Sequence, residues 1–153
     1  MQDQLRELHG SIGAQTATVE ALFSSVSGDA AAARPAKDSW SILEHLEHVC
    51  IVNELYLGSI VQAVEAARTA GRMGTGPFRG GWLAERLIAS QEPPPKRKLA
   101  TFRKAKPKSL LEASKVVDRF RAVQQQCLDA ISASDGVDLG AARFRSPLFA
   151  LLK

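Results

Sequence analysis

The sequence is poor in most residues and patterns that would announce a function. It has two cysteines, Cys50 and Cys127, in no CxxC spacing. That excludes a disulfide framework and points to a reducing, cytoplasmic setting. Eleven glycines and seven prolines among 153 residues exclude a collagen-like or low-complexity chain. The longest strongly apolar run, Val49 to Val52, stops at Asn53 and is too short to cross a bilayer. The first residues lack the basic-then-apolar order of a signal peptide. Strand-like alternation and internal repeats are absent. There is no Gly-rich phosphate loop, because Gly74-Thr-Gly-Pro77 lacks the lysine and the preceding strand. There is no GxSxG elbow. What remains is a soluble single domain over 1–153, long enough to bury a core without staples.

The net charge of +4 is unevenly spread. Seven basic residues (Lys96, Arg97, Lys98, Arg103, Lys104, Lys106 and Lys108) lie between Pro93 and Lys108 with no acid among them. The rest of the chain holds 13 basic against 16 acidic residues, a net of −3. Such a cluster can meet phosphates. Here it is flanked by Pro93-Pro94-Pro95 and Pro107 and has one aromatic, Phe102, so it offers no stacking series for nucleic acid. A solvated crossover loop is the favoured reading.

Helical periodicity is what the sequence does have. Leu5, Leu8, Ile12, Thr16, Val19, Leu22, Phe23 and Val26 form one stripe ending near Ser27-Gly28. Ala30 to Asp38 reads as a connector, with Arg34-Pro35 opposing helix. Ser41 and Glu44 form a capping box that starts a second helix running to Gly71. Its middle is apolar nearly all round, which predicts a central bundle helix. Residues 72–108 break the rhythm, apart from a short amphipathic piece from Trp82 to Ser90. A connection this long suits a crossover along a bundle. A third long helix is expected from a second box, Ser109 to Glu112, with a stripe from Ala113 to Ile131 and a stop at Ser134-Asp135-Gly136. The run Leu148 to Leu152 then begins a fourth element just before Lys153, so we expect the last helix to be truncated. The class is all-α.

Three histidines are present: His9, His45 and His48. His45 and His48 lie about 60° apart on the second helix, from 3.6 residues per turn. Together with Glu44 and Glu47 they could contribute to a metal site, although catalytic zinc sites use three protein ligands. The alternative is a polar helix flank. His48 projects beside Val52 and Leu55 and, if buried, needs a metal, a backbone carbonyl or a carboxylate as partner. His9 reads as a boundary residue. Cys50 and Cys127 read as inert core thiols. Asn53 and Tyr56 read as packed polar residues that could also line a cavity.

Several segments in order, Trp40-Ser-Ile-Leu-Glu-His-Leu-Glu-His48-Val, Asn53-Glu-Leu-Tyr56, Gly76-Pro-Phe-Arg79, Glu92 to Lys98 and Phe144-Arg-Ser-Pro147, resemble the DinB/YfiT-like superfamily. The resemblance covers most of the chain from about Arg34 onward. It implies an up-down-down-up four-helix bundle with a long crossover between helices 2 and 3. It also implies a divalent metal (nickel, zinc or iron) held by three histidines, of which His48 matches the first. The other two form an HxxxH pair on the last helix, and no histidine follows His48. The implied activity is a metal-dependent enzyme, a thiol-dependent transferase or a hydrolase, acting on a small-molecule or thiol substrate. The metal would act as a Lewis acid on a bound water or thiol. A non-catalytic bundle serving oligomerisation is the alternative, in which a homodimer partner would cover the groove left by the fourth helix.

Overall fold

The computed structural model describes residues 1–91, 100–108 and 111–148. Five helices follow one another: α1 (Asp3–Ser25), α2 (Gly28–Ala32), α3 (Ile42–Thr69), α4 (Trp82–Gln91) and α5 (Ala113–Ala133), with a 3-10 turn at Arg103–Ala105 before α5. No strand forms among the described residues, only an isolated bridge between Met73 and Val137.

The starts of α3 and α2 have a local cause. The Ser41 hydroxyl accepts from the Glu44 amide at 3.2 Å, and Glu44 Oε2 accepts from the Ser41 amide at 2.8 Å. Two amides left unpaired at the helix end are thereby satisfied. Ser27 likewise accepts from the Ala30 amide and caps α2. The expected connector therefore begins with three helical residues, and Ala31 is fully buried by that turn. The end of α5 falls at Ser134, followed by Gly136 at φ 77°, a left-handed position that suits glycine. The start of α5 differs from expectation. Ser109 lies outside the described residues, and α5 begins at Ala113 with Glu112 as its N-cap, making no side-chain cap bond. Instead the Glu112 carboxylate accepts from Ser114 at 3.1 Å and pairs with Lys115 at 2.7 Å.

Side-chain links fix the helix directions. Thr16 and Glu20 of α1 meet Gln124 and Arg121 of α5, while Met1 and Gln2 meet Asp135 beyond its end. These pairs run in opposite senses, so α1 and α5 are antiparallel. Glu47, Asn53 and Arg68 of α3 meet Arg119, Gln124 and Ala133 in the same order, so α3 and α5 are parallel. One up and two down is the order expected of the first three long helices, and the residue 70–112 connection spans the bundle to allow it.

The main core lies between α3 and α5, where Leu43, Cys50, Val116, Phe120 and Val123 are buried. Here the expectation of a central α3 is corrected. Among the described residues the long helix packed on both of the others is α5, which contacts α1 and α3. Among the described residues α3 leaves Ile42, Val49 and Val61 exposed. Its all-round apolarity also makes it long and apolar enough to cross a membrane by composition. Its partners are nevertheless those of a core helix, with Glu44 and Glu47 buried against arginines.

Candidate functional site

The first two turns of α3 bring together Trp40, His45 and His48. Trp40 precedes the N-cap and folds back over the helix, its ring 5.4 Å from that of His45 and 5.1 Å from that of His48. An apolar residue before the cap packing onto the first full turn fixes how the chain enters the helix. His45 is exposed, and its Nδ1 donates to the Ser41 carbonyl at 2.8 Å within its own helix.

His48 is half-buried, and its Nδ1 donates to the carbonyl of Ala105 at 2.6 Å. Ala105 is held in place because it is almost fully buried in the 3-10 turn, between exposed Arg103, Lys104 and Lys106. Of the three partners open to this imidazole, the backbone carbonyl is the one at Nδ1. In the neutral ring a proton on Nδ1 leaves the lone pair on Nε2. That is the arrangement of metal-binding histidines, whose second nitrogen is oriented by a carbonyl or carboxylate. The described part of the basic cluster thus surrounds a single buried anchor. Lys96, Arg97 and Lys98 lie outside the described residues.

A metal does not find a full donor set here. No group of three histidine, cysteine or carboxylate side chains gathers among the described residues. The two nearby carboxylates of α3 are committed elsewhere. Glu44 is gripped by Arg34, whose Nε donates to Oε2 at 2.8 Å, and the Arg34 bonds hold its pKa below the usual carboxylate range. Glu47 is buried and takes Arg119 Nη1 at 2.6 Å. The same guanidinium reaches Glu54, lowering that carboxyl's pKa in turn. The acids that the spacing offered as ligands are therefore structural counter-ions.

The remaining candidates separate. Cys50 is fully buried, and burial pushes its thiol up to about 11, so it is an inert core residue as expected. Cys127 departs from that pattern because it is half-buried and lines two cavities. Asn53 donates to Gln124 at 3.4 Å, and Gln124 donates to Thr16 at 3.3 Å, a polar link across all three long helices. Tyr56 meets the tail, bonding Ser146 at 2.7 Å and contacting the Phe144 ring edge-on. His9 is half-buried on α1, as a boundary residue.

Sequence reading missed Arg119 and the Ala105 carbonyl. The first had a signal, since Glu47 and Glu54 stand seven residues apart on one face and need a cation opposite. The second had none, because any residue supplies a carbonyl.

No curated protein and no solved structure matches the chain. A family model does, over residues 12–152, and its description is the DinB superfamily. That match spans the long helices, the crossover and the Trp40–His48 turn together, and the chain belongs to the DinB superfamily.

Proposed function

We propose that the protein is a divalent-metal-dependent enzyme of the transferase or hydrolase type, acting on a small-molecule or thiol substrate. To that site the described residues give one donor, Nε2 of His48. The observation that supports this reading is the 2.6 Å bond from His48 Nδ1 to the Ala105 carbonyl, which sets the ring's tautomer and aims the other nitrogen away. Nickel, zinc or iron is the metal that the family resemblance implies, and each accepts an imidazole donor. The described residues alone do not complete the set. The other donors come from a homodimer partner or from residues outside those described, and no catalytic step is assigned to the residues in hand.

Metal content by plasma mass spectrometry, after purification without chelators, tests the proposal on the parent and on His48→Ala. Near-stoichiometric metal in the parent and its loss in the variant is the expected result. Metal-free parent protein, in a buffer supplemented with nickel, zinc or iron, would overturn it. The second reading is a non-catalytic helical module, which the engagement of Glu44 and Glu47 by arginines favours. It expects no metal in either protein and the same quaternary state for both.

A further inference from the structure

Three cations of the crossover stand at the His48 end of the bundle, and the fold fixes the backbone that carries them. Arg103, Lys104 and Lys106 are exposed, while Ala105 among them is 1% exposed. The Ala105 amide donates to the Phe102 carbonyl at 2.9 Å, and the Ala105 carbonyl accepts from His48 Nδ1 at 2.6 Å. The turn is closed on itself at one side of Ala105 and tied to the imidazole at the other. Lys104 and Lys106 adjoin the tied residue, about 3.8 Å away from Cα to Cα, and Arg103 is one residue further. The sequence favours a solvated loop for the whole basic cluster, and for this half the His48 bond supplies an anchor instead.

The surroundings leave these charges uncompensated. Arg34 is paired with Glu44, and Arg119 with Glu47 and Glu54, so the acids of this part of α3 are already taken. Arg103, Lys104 and Lys106 enter no ion pair among the described residues. Nε2 of His48 has no hydrogen-bond partner there either. It is open to solvent, since the one buried side-chain polar atom without a partner among the described residues is Gln2 Oε1.

Unpaired cations beside a solvent-facing imidazole set up a positive field where a ligand arrives. An oxyanion gains charge-assisted hydrogen bonds from guanidinium and ammonium groups, whereas a cationic ligand is repelled and a neutral one gains little. Because the backbone is already anchored, binding orders only the side chains. The three charges sit within one turn instead of along a groove, and Phe102 is the lone aromatic of the segment. That suits a single anionic group and not a nucleic-acid strand, which needs a basic track with stacking rings.

We propose that the substrate of the His48 site carries a small oxyanion, a carboxylate or a phosphate, held by Arg103, Lys104 and Lys106. This rests on the reading of His48 as the reactive end, and it names the substrate class which that reading leaves open.

Trp40, whose ring is 5.1 Å from that of His48, reports on the site once Trp82→Phe removes the other tryptophan. The full chain with that change, stripped of metal by a chelator, is titrated with inorganic phosphate and separately with succinate at constant ionic strength. A saturable change in Trp40 fluorescence is expected, and the tighter of the two anions names the group. Arg103→Gln/Lys104→Gln/Lys106→Gln should weaken binding about tenfold or more, the value of one hydrogen bond to a charged group. Arg72→Gln/Arg143→Gln/Arg145→Gln removes the same charge from exposed positions elsewhere and should leave binding unchanged. Both triple variants alter only exposed side chains, so the helical circular dichroism should stay that of the parent. Because the titrated protein is metal-free, the two readings fail separately. Metal in the parent without anion binding overturns this proposal alone, and anion binding without metal overturns the metal reading alone. Equal binding by the first triple variant and the parent, or equal losses in both triple variants, would also overturn it. So would binding of oligodeoxythymidylate with none of either small anion, which assigns the turn to nucleic acid.

Discussion

Two faces of α3 are equally apolar in sequence and differ entirely in the folded protein. Toward α5, Leu43, Leu46 and Cys50 are buried against Phe120 and Val123, and Arg119 closes the seam by bonding Glu47 and Glu54. Toward α1, Val49 and Leu57 line cavities, and Leu8 across the gap is 48% exposed. One face is sealed by neighbours and ion pairs, while the other is open and neutral. The difference shows that an apolar stripe marks a face to be covered and leaves the cover unspecified.

Cutting into the sealed face should cost most. Phe120→Ala removes a ring that is 3% exposed and should destabilise by about 3–5 kcal/mol, as read by urea unfolding. Leu8→Ala, in the open face, should cost less than about 1 kcal/mol because half its surface already meets water. Equal losses at the two positions would erase the contrast.

Next in size is the latch. Arg119→Leu strands Glu47, whose side chain is 4% exposed, beside an unpaired Glu54. The expected loss is about 3 kcal/mol, with part of it recovered in Glu47→Gln/Arg119→Leu. A double variant as unstable as the single one would show that the guanidinium acts by packing and not by charge.

The latch also sets a pH dependence. Glu54 and Glu44 have lowered pKa values in the folded protein, chiefly through hydrogen bonds from Arg119 and Arg34. A carboxyl that ionises more readily when folded stabilises the fold above its ordinary pKa of about 4.3. That contribution falls as pH drops through the lowered folded values, because the unfolded chain takes up protons first. The urea midpoint should therefore decline from about pH 4.5 downward. In Arg119→Leu the Glu54 part of the decline should be absent.

The smallest effect belongs to the cap. Ser41→Ala loses the bond to the Glu44 amide and should cost about 1 kcal/mol. It should leave the open face unchanged, as read by the thiol reactivity of half-buried Cys127. A change in that reactivity would mean that the start of α3 also sets the groove.

Local chemistry made part of this legible. The Ser41–Glu44 box, the stop at Gly136 and the α1 helix are written in neighbouring residues, and the structure has all three, although Leu8 and Leu22 of the α1 stripe are exposed. His48 was singled out by its position beside Val52 and Leu55, and its half-buried ring does have a carbonyl partner. The role of Glu44 and Glu47 was not legible. Spacing on one helix offers an acid as a ligand, whereas Arg34 and Arg119 reach those acids from 10 and 72 residues away.

By itself the sequence determined the all-α class, the start of α3, the end of α5 and the apolar faces, because capping and 3.6-residue periodicity act within a few residues. Tertiary structure alone decided which helix is central, since α1 and α3 both pack on α5. It also decided which acids are counter-ions, and that Leu139 and Phe144 come to line the groove between α1 and α3. Those outcomes depend on contacts between distant segments, and a periodic pattern carries no information about which distant segment arrives.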